Sequence, residues 1–213
     1  MHPAKTVRIV ATIVSVIYAG VLYLSGIKLK TDVSHGLAYL PSILTLLVVG
    51  YDQWAWHWPL IRHLHKRPYL HGLWSVAVEP DPESHIPEGG NWHPQGCLVI
   101  EQTFWAISIT QFTNESTSYS KATTWQSHEG SKKQALSFVY DNKPKRAHID
   151  RSRQHLGACL LEIANGIPTS MSGEYFTQRF TAGSVSLRFV DRTTNYVNFE
   201  QADEYCKSRS SRE

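Results

Sequence analysis

The stretch HLGACLLEIANGIPTSMSGEYFTQRFTAGSVSLRFV, residues 155–190, decides the fold class. Apolar and polar residues alternate along three short runs, and small turn residues separate these runs at Asn165-Gly166 and at Ala182-Gly183. Alternation with a period of two is typical of a β-strand with one buried face, and such short turns join antiparallel neighbours. The stretch therefore predicts three consecutive antiparallel strands.

The same pattern extends back to Gly72 and predicts five further strands. We place the eight strands at Leu73–Glu79, Cys97–Thr103, Phe104–Phe112, Thr117–Trp125, Ala135–Asp141, His155–Ile163, Gly173–Thr181 and Ser184–Val190. No amphipathic helix is predicted between them. Eight antiparallel strands at hairpin spacing can close into a small barrel, which leaves no exposed sheet edge. A two-sheet sandwich is the alternative that the pattern leaves open.

The N-terminal third of the chain has a different composition. Ile9–Ile27 is uncharged and mostly aliphatic, and Leu37–Tyr51 is a second apolar run. Because a membrane-spanning helix needs about twenty apolar residues, we predict a two-helix transmembrane hairpin in front of an all-β domain. The predicted organisation is a hairpin over residues 1–62, a basic juxtamembrane linker over 63–71, a small antiparallel eight-stranded β-barrel over 72–195 and a charged C-terminal tail over 196–213.

Charge is divided unevenly along the chain. Residues 1–71 carry seven Lys/Arg and two Asp, a balance of +5, whereas the remainder carries fourteen basic and sixteen acidic residues, a balance of −2. Positive charge beside membrane segments favours the cytoplasmic side, so we expect the N-terminus and the barrel in the cytoplasm. A nearly neutral barrel argues against sequence-independent binding of DNA or RNA, which needs a basic face.

Neither a disulfide framework nor a catalytic motif is evident. The three cysteines, Cys97, Cys159 and Cys206, contain no CxxC pair, and we expect reduced thiols. The sequence has no Walker loop, no G-x-S-x-G elbow and no H-E-x-x-H pair. We therefore expect a protein that is not an enzyme and that uses no metal and no cofactor.

The seventh predicted strand carries the main candidate binding residues. One of its faces combines an aromatic ring, hydroxyls and a guanidinium: Tyr175, Thr177, Arg179 and Thr181. Tyrosine stacks on bases, arginine forks onto phosphate and threonine donates to oxygen, so this face suits a ligand with bases and phosphates. The alternation alone leaves open whether the opposite face, with Phe176 and Phe180, forms the core instead.

Other parts of the predicted barrel offer similar chemistry. Residues 117–120 are a hydroxyl-rich run with Ser118 and Ser120, Tyr140 shares a face with Phe138, and Trp105 is a large stacking group. Each aromatic ring, taken singly, is also typical of a core. We add Ser118, Ser120, Tyr140 and Trp105 to the candidate ligand-binding residues.

The order of short motifs along the chain resembles that of a known family. The motifs are GLWSV at 72–76, IEQTFWAISI at 100–109, STSYSKA at 116–122, LSFVYDNKP at 136–144, HLGACLL at 155–161 and GEYFTQRFTAG at 173–183. Behind two N-terminal apolar runs, this order resembles the two-TM, β-strand-rich effectors of CBASS anti-phage systems, which are associated with SMODS nucleotidyltransferases. The resemblance covers about Val7 to Arg192, and G-x-Y-x-T-x-R-x-T-x-G is its most specific part.

The resemblance implies a function. Members of that family use a small barrel to bind a cyclic dinucleotide or related cyclic oligonucleotide, which a partner nucleotidyltransferase makes during phage infection. Binding promotes homo-oligomerisation, and the two-pass chains then contact lipid and disrupt the bacterial inner membrane, which aborts the infection. The resemblance also implies that Tyr175, Thr177, Arg179 and Thr181 face the lumen.

Two other classes of function stay open at this point. The first is a membrane-anchored barrel that binds a lipid or another small molecule and has no killing activity; its lumen should be mainly apolar. The second is a membrane-bound enzyme. The direction in which the Tyr175 face points distinguishes the nucleotide sensor from the lipid carrier.

Overall fold

The structure, a computed structural model, describes residues 3–24, 32–65, 67–86, 95–127, 134–150, 152–164 and 166–210. The chain divides into two compact units. The helical unit consists of Met1–His65 with Thr103–Ala106, and the barrel unit consists of Lys66–Gln102 with Ile107–Glu213.

The described residues of the helical unit form three α-helices and one short 3-10 helix. They are α1 (Pro3–Leu24), α2 (Asp32–Gln53), a 3-10 turn (Ala55–His57) and α3 (Pro59–His65). The Ser42 hydroxyl of α2 donates to the Ser15 carbonyl oxygen of α1 at 2.9 Å, which ties the two long helices together. Trp56 is fully buried, and its ring meets that of Phe104 edge to face.

The predicted transmembrane hairpin is wrong, because no helix among the described residues is both long and apolar enough to cross a membrane. The uncharged part of α1 that the structure describes runs only from Ile9 to Leu24, which is shorter than the about twenty residues required. In α2 the apolar stretch is interrupted by Pro41. Residues 25–27 of the first predicted run lie outside the described residues.

The barrel unit is a closed antiparallel barrel whose strands follow one another in sequence order. The strands are β1 (Gly72–Pro80), β2 (Gln95–Gln102), β3 (Ile107–Thr113), β4 (Ser116–Ser127), β5 (Gln134–Pro144), β6 (His155–Ile163), β7 (Ser170–Thr177) and β8 (Ala182–Asp191). Strand β8 pairs with β1, and this pairing closes the barrel. The prediction of an eight-stranded antiparallel barrel is confirmed, and the structure excludes the sandwich.

Two predicted strands differ from the observed ones in a way that matters for the site. Strand β3 begins at Ile107 rather than at Phe104, because residues 103–106 belong to the helical unit. Strand β7 ends at Thr177 rather than at Thr181, because the chain turns there, with Phe180 in the left-handed region at φ 60°.

One end of the barrel is filled by apolar side chains. The fully buried members of this cluster include Leu70, Trp74, Ile100, Leu136 and Leu161. The Trp74 indole N–H donates to the Leu70 carbonyl oxygen at 2.8 Å. The Gln102 side chain accepts from the Leu70 backbone N–H at 2.7 Å and donates to the Pro68 carbonyl oxygen at 2.9 Å. These two hydrogen bonds of Gln102 fix residues 68–70 across this end of the barrel, and we therefore call it the closed end.

The C-terminal residues form a helix that packs on the outside of the barrel. Helix α4 (Phe199–Ser210) begins after Asn198, whose side-chain oxygen accepts from the Gln201 backbone N–H at 3.0 Å, as an N-cap does. A second apolar cluster, outside the wall, contains Leu73, Cys97, Val99, Phe112, Ala202 and Cys206. Part of the predicted charged tail therefore has a buried apolar face.

Candidate ligand-binding site

The end of the barrel opposite the closed end holds a cavity of about 260 Å³. We call this end the mouth; it is where β1, β3, β5 and β7 end and where β2, β4, β6 and β8 begin. The floor of the cavity is apolar and includes Leu98, Phe138 and Leu187. Polar side chains surround the mouth, and they come from six strands and from the turns that join them.

The structure brings six of the eight sequence-predicted residues together around this cavity: Tyr175, Thr177, Arg179, Thr181, Ser118 and Tyr140. Ser120 and Trp105 are not among the residues that line it. The Ser120 hydroxyl accepts the Ile109 backbone N–H at 2.9 Å, beside a β-bulge, and so replaces a backbone carbonyl in the wall. Trp105 lies in the helical unit and is 55% exposed. A role in ligand binding stays a prediction for all eight.

Strand β7 turns its Tyr175 face toward the lumen. Phe176 is 62% exposed and Phe180 is 85% exposed, whereas Tyr175 packs against the inner apolar cluster. This geometry resolves the orientation that alternation alone left open.

The turn between β7 and β8 is built around the side chain of Thr177. Its hydroxyl lies 2.7 Å from that of Thr181 and accepts the Arg179 backbone N–H at 3.2 Å. The Thr177 backbone N–H donates to the Thr181 carbonyl oxygen at 2.9 Å. These bonds hold Arg179 at the mouth and leave Phe180 outside.

Residues 81–86, which follow β1, are hydrogen-bonded to this turn. The Ser84 hydroxyl donates to the Ala182 carbonyl oxygen at 2.6 Å and accepts the Ala182 backbone N–H at 3.0 Å. The His85 backbone N–H donates to the Phe180 carbonyl oxygen at 3.1 Å. Pro80 and Ile86, at the two ends of this segment, line the cavity. A change in residues 81–86 would therefore move the Arg179 turn.

The Arg179 guanidinium is oriented by one short hydrogen bond. Its Nη1 donates to the Ser152 hydroxyl at 2.6 Å, and Ser152 is itself held by the His148 carbonyl oxygen through its backbone N–H at 2.8 Å. A guanidinium has five N–H donors in a fixed plane, so further donors are available for a ligand at the mouth.

His155 is a lumen residue that the sequence analysis did not include in the site. Its Nδ1 lies 2.9 Å from the Arg153 carbonyl oxygen, so Nδ1 carries the proton and Nε2 is an acceptor in the neutral ring. Burial is the largest cause that lowers the pKa of His155, and Arg179 lowers it further. The ring is therefore neutral at pH 7. Strand alternation could have identified it, because His155 is in phase with the inward-facing Cys159.

Asn142 is a second lumen residue that the sequence analysis missed. Its amide Nδ2 donates to the Ser116 hydroxyl at 3.0 Å and to the Ser118 hydroxyl at 3.2 Å. Its Oδ1 is buried, and the described part of the chain offers it no hydrogen-bond partner. The residue is in phase with Phe138 and Tyr140, so alternation along β5 was again the available signal.

Two tyrosines add aromatic surface to the lumen. Burial raises the pKa of Tyr140, and burial, with Asp81 second, raises the pKa of Tyr175 to about 12, so both hydroxyls remain protonated donors at neutral pH. The Tyr140 ring lies over Gly157 of the neighbouring strand, in the space that a Cβ would occupy.

Among the described residues, no group of three or more His, Cys, Asp or Glu has the geometry of a metal site.

A closed eight-stranded barrel with an apolar floor and a polar, arginine-bearing mouth defines a small β-barrel that can hold one ligand. Residues 65–188 match the family model described as "Cap15, cyclic dinucleotide receptor domain". The chain therefore belongs to the family of Cap15 cyclic dinucleotide receptor domains.

A relative with a curated name agrees with this assignment. The chain is similar to the CD-NTase-associated protein 15 of Staphylococcus schleiferi, with 23% identity over 152 residues, which are 71% of this chain and 78% of that protein. The resemblance to nucleotidyltransferase-associated CBASS effectors is thus supported, but the two-TM part of it is not.

Proposed function

We propose that the barrel is the sensor of a CBASS anti-phage effector and binds a cyclic dinucleotide, or a related cyclic oligonucleotide, at the mouth of its lumen. Membership of the cyclic dinucleotide receptor family supports the ligand class, and the name of the relative supports a CD-NTase as its source. In this proposal the chain binds the nucleotide without transforming it, and it needs no further cofactor.

The observation that carries the proposal is the position of the Arg179 guanidinium. Ser152 holds its Nη1 at the mouth, beside the hydroxyls of Thr177 and Thr181. A guanidinium with neighbouring hydroxyls is a suitable receptor for a phosphodiester, because charge-assisted and neutral donors then converge on the same anionic oxygens.

The remaining groups around the cavity suit a nucleobase. Tyr175 and Phe138 offer aromatic surface for stacking, and His155 Nε2 is an acceptor for a base N–H. A base that donates to Asn142 Oδ1 would also satisfy a buried acceptor, and leaving such a group unsatisfied costs about 1–3 kcal/mol. A lipid-carrying barrel would instead have an apolar mouth, so these groups favour the nucleotide.

The size of the cavity bears on how such a ligand sits. Its volume, about 260 Å³, is slightly below that of small-molecule pockets, which measure about 300–1,000 Å³. A ligand with two nucleotides would therefore occupy the floor and extend through the mouth, where it would contact Pro80 and Ile86. Binding would then act on residues 81–86 as well as on the lumen.

For the output, we propose that the occupied barrel promotes homo-oligomerisation and that the assembled chains damage the inner membrane. A ligand can shift this equilibrium only by binding the assembling form more tightly. The helical unit has exposed aliphatic side chains suited to contact with other copies or with lipid: Ile13, Val14, Ile17, Leu44 and Leu47. Sedimentation of the full chain with and without nucleotide, together with dye release from anionic liposomes, tests both steps.

The test of the proposal itself is a calorimetric screen of the full chain against cyclic di- and trinucleotides. One selective ligand is expected, and Arg179→Ala should weaken it by about tenfold to a hundredfold, the cost of a charge-assisted hydrogen bond. Arg188→Ala is the matched control, because Arg188 is exposed and lines a groove on the outer face of the barrel. Equal loss in both variants, or a ligand indifferent to Arg179→Ala, would contradict the proposed phosphate contact. A folded sample that binds no nucleotide but takes up lipid would favour the carrier.

A further inference from the structure

Two cysteine side chains meet outside the barrel wall. Cys97 points outward from β2 and Cys206 points toward it from α4, and their sulfur atoms are 3.2 Å apart. Both residues are buried, at 1% and 7% exposure. A disulfide has an S–S length of about 2.05 Å, so a relative shift of about 1 Å would bring the two sulfur atoms to bonding distance.

The pair is reachable from one side. A groove of about 760 Å³ on the outer face of the barrel is lined by Cys206 together with Arg188 and Arg209. Cys97 is not among the lining residues, so it lies behind Cys206. Cys206 is therefore the more accessible thiol of the pair, and the two guanidinium groups, against the one carboxylate of Glu162 in the same lining, favour the approach of a small anionic reagent.

The two thiols differ in acidity. The two sulfur atoms are within hydrogen-bonding distance, and this hydrogen bond lowers the pKa of Cys206. The same bond, with burial second, raises the pKa of Cys97. Because the thiolate is the nucleophile in thiol–disulfide exchange, and because Cys206 rather than Cys97 lines the groove, Cys206 is the thiol that attacks first and Cys97 is the one that resolves the intermediate.

We propose that Cys97 and Cys206 form a reversible disulfide, with a small anionic disulfide of the glutathione class as the oxidant, and that this bond fastens α4 to the barrel wall. The inference is separate from the proposed nucleotide site, which lies on the other side of the wall.

The exchange proceeds in two balanced steps. The Cys206 thiolate attacks oxidised glutathione, forms a mixed disulfide and releases one glutathione thiolate. The Cys97 sulfur then attacks the Cys206 sulfur, forms the Cys97–Cys206 bond and releases the second glutathione. The protein loses two electrons and two protons, and both protons end on the two glutathione thiols.

The bond would join residues that are 109 positions apart in the sequence. A crosslink over so long a segment restricts the unfolded chain strongly. We therefore expect the oxidised barrel to unfold at a temperature about 5–10 °C higher than the reduced barrel.

The experiment incubates the purified full chain with oxidised glutathione and maps its peptides under non-reducing conditions. A linked peptide pair that contains Cys97 and Cys206, that disappears with dithiothreitol and that accompanies the rise in unfolding temperature is expected. Cys159→Ser is the matched control and should keep both effects, because Cys159 faces the lumen. Cys206→Ser should lose both.

The order in which the two thiols react can be tested separately with serine variants. Cys97→Ser should accumulate the mixed disulfide on Cys206, whereas Cys206→Ser should leave Cys97 largely unmodified. Three results in the wild-type chain would overturn the proposal: glutathione adducts with no internal link, a crosslink only between chains, or no reaction at all. None of these depends on whether a serine variant folds.

Discussion

Replacing Gly157 by alanine should destabilise the barrel by about 1–3 kcal/mol, the usual cost of overpacking a core. An added Cβ would lie 2.7 Å from Cε2 of the Tyr140 ring, and still closer to Cζ and Oη. Tyr140 pairs directly across from Gly157 on β5, and its ring is buried inside the barrel. The ring lines the cavity, so a displacement of the ring into that space should also reduce the room for a ligand.

Thermal unfolding of the full chain, followed by circular dichroism, measures the effect. For a domain of this size each kcal/mol lowers the unfolding temperature by about 3–5 °C, so a decrease of about 3–15 °C is expected. Gly50→Ala, in α2, is the control, because no atom other than those of the adjoining helix backbone lies within 4 Å of the Cβ that it adds.

The expected cost comes from the single contact between the added Cβ and the Tyr140 ring, and a double-mutant cycle tests this. In a Tyr140→Leu background, the Gly157→Ala substitution should cost less than half as much as in the parent. An unchanged cost in that background, or a Gly157→Ala variant that unfolds like the parent, would refute the reasoning.

Three further perturbations have defined outcomes. The hydrogen bond that the Tyr205 hydroxyl donates to Asp191, at 2.7 Å, is the largest cause that holds the pKa of Asp191 below its usual range. This bond stabilises the folded protein above the unfolded pKa of about 4, and the stabilisation is lost as pH falls through the folded pKa. Tyr205→Phe should therefore lower the unfolding temperature at pH 7, and the difference from wild type should shrink in a series down to pH 3. Phe180→Gly should raise stability by about 0.5–1 kcal/mol in urea unfolding, because the residue is exposed and its φ of 60° strains any residue except glycine. Gln102→Leu should cost about 2–4 kcal/mol in the same assay, since the buried Leu70 N–H and one carbonyl oxygen lose their partner.

The barrel was predictable because its strands carry local signals. Strand β6 has the predicted bounds, His155–Ile163, since alternation and the following turn residues both mark it. The lumen-facing residues follow from the same periodicity once one inward residue per strand is known. For this reason six of the eight predicted site residues line the cavity, and His155 and Asn142 could have joined them.

The errors arise where contacts distant in sequence decide the structure. Residues 103–106 look like the start of a strand, yet the Trp105 backbone N–H donates to Asp52 at 3.0 Å, and these residues join the helical unit. Ser120 follows the alternation, but a β-bulge next to it changes the register of β4 against β5. Apolar composition alone does not define a membrane span, because the helix boundaries decide how long the apolar part is.

The closed end of the barrel affects the rates at which a ligand can bind and dissociate. Trp74 and Leu70 fill that end, so a ligand enters and leaves the described barrel through the mouth. Ile86, at the end of the segment that is hydrogen-bonded to the β7–β8 turn, lies on this shared route. Any change that only narrows the route slows arrival and departure equally, so the dissociation constant stays the same. The width of the mouth therefore sets how long a bound ligand stays in the lumen, without changing the concentration at which half of the barrels are occupied.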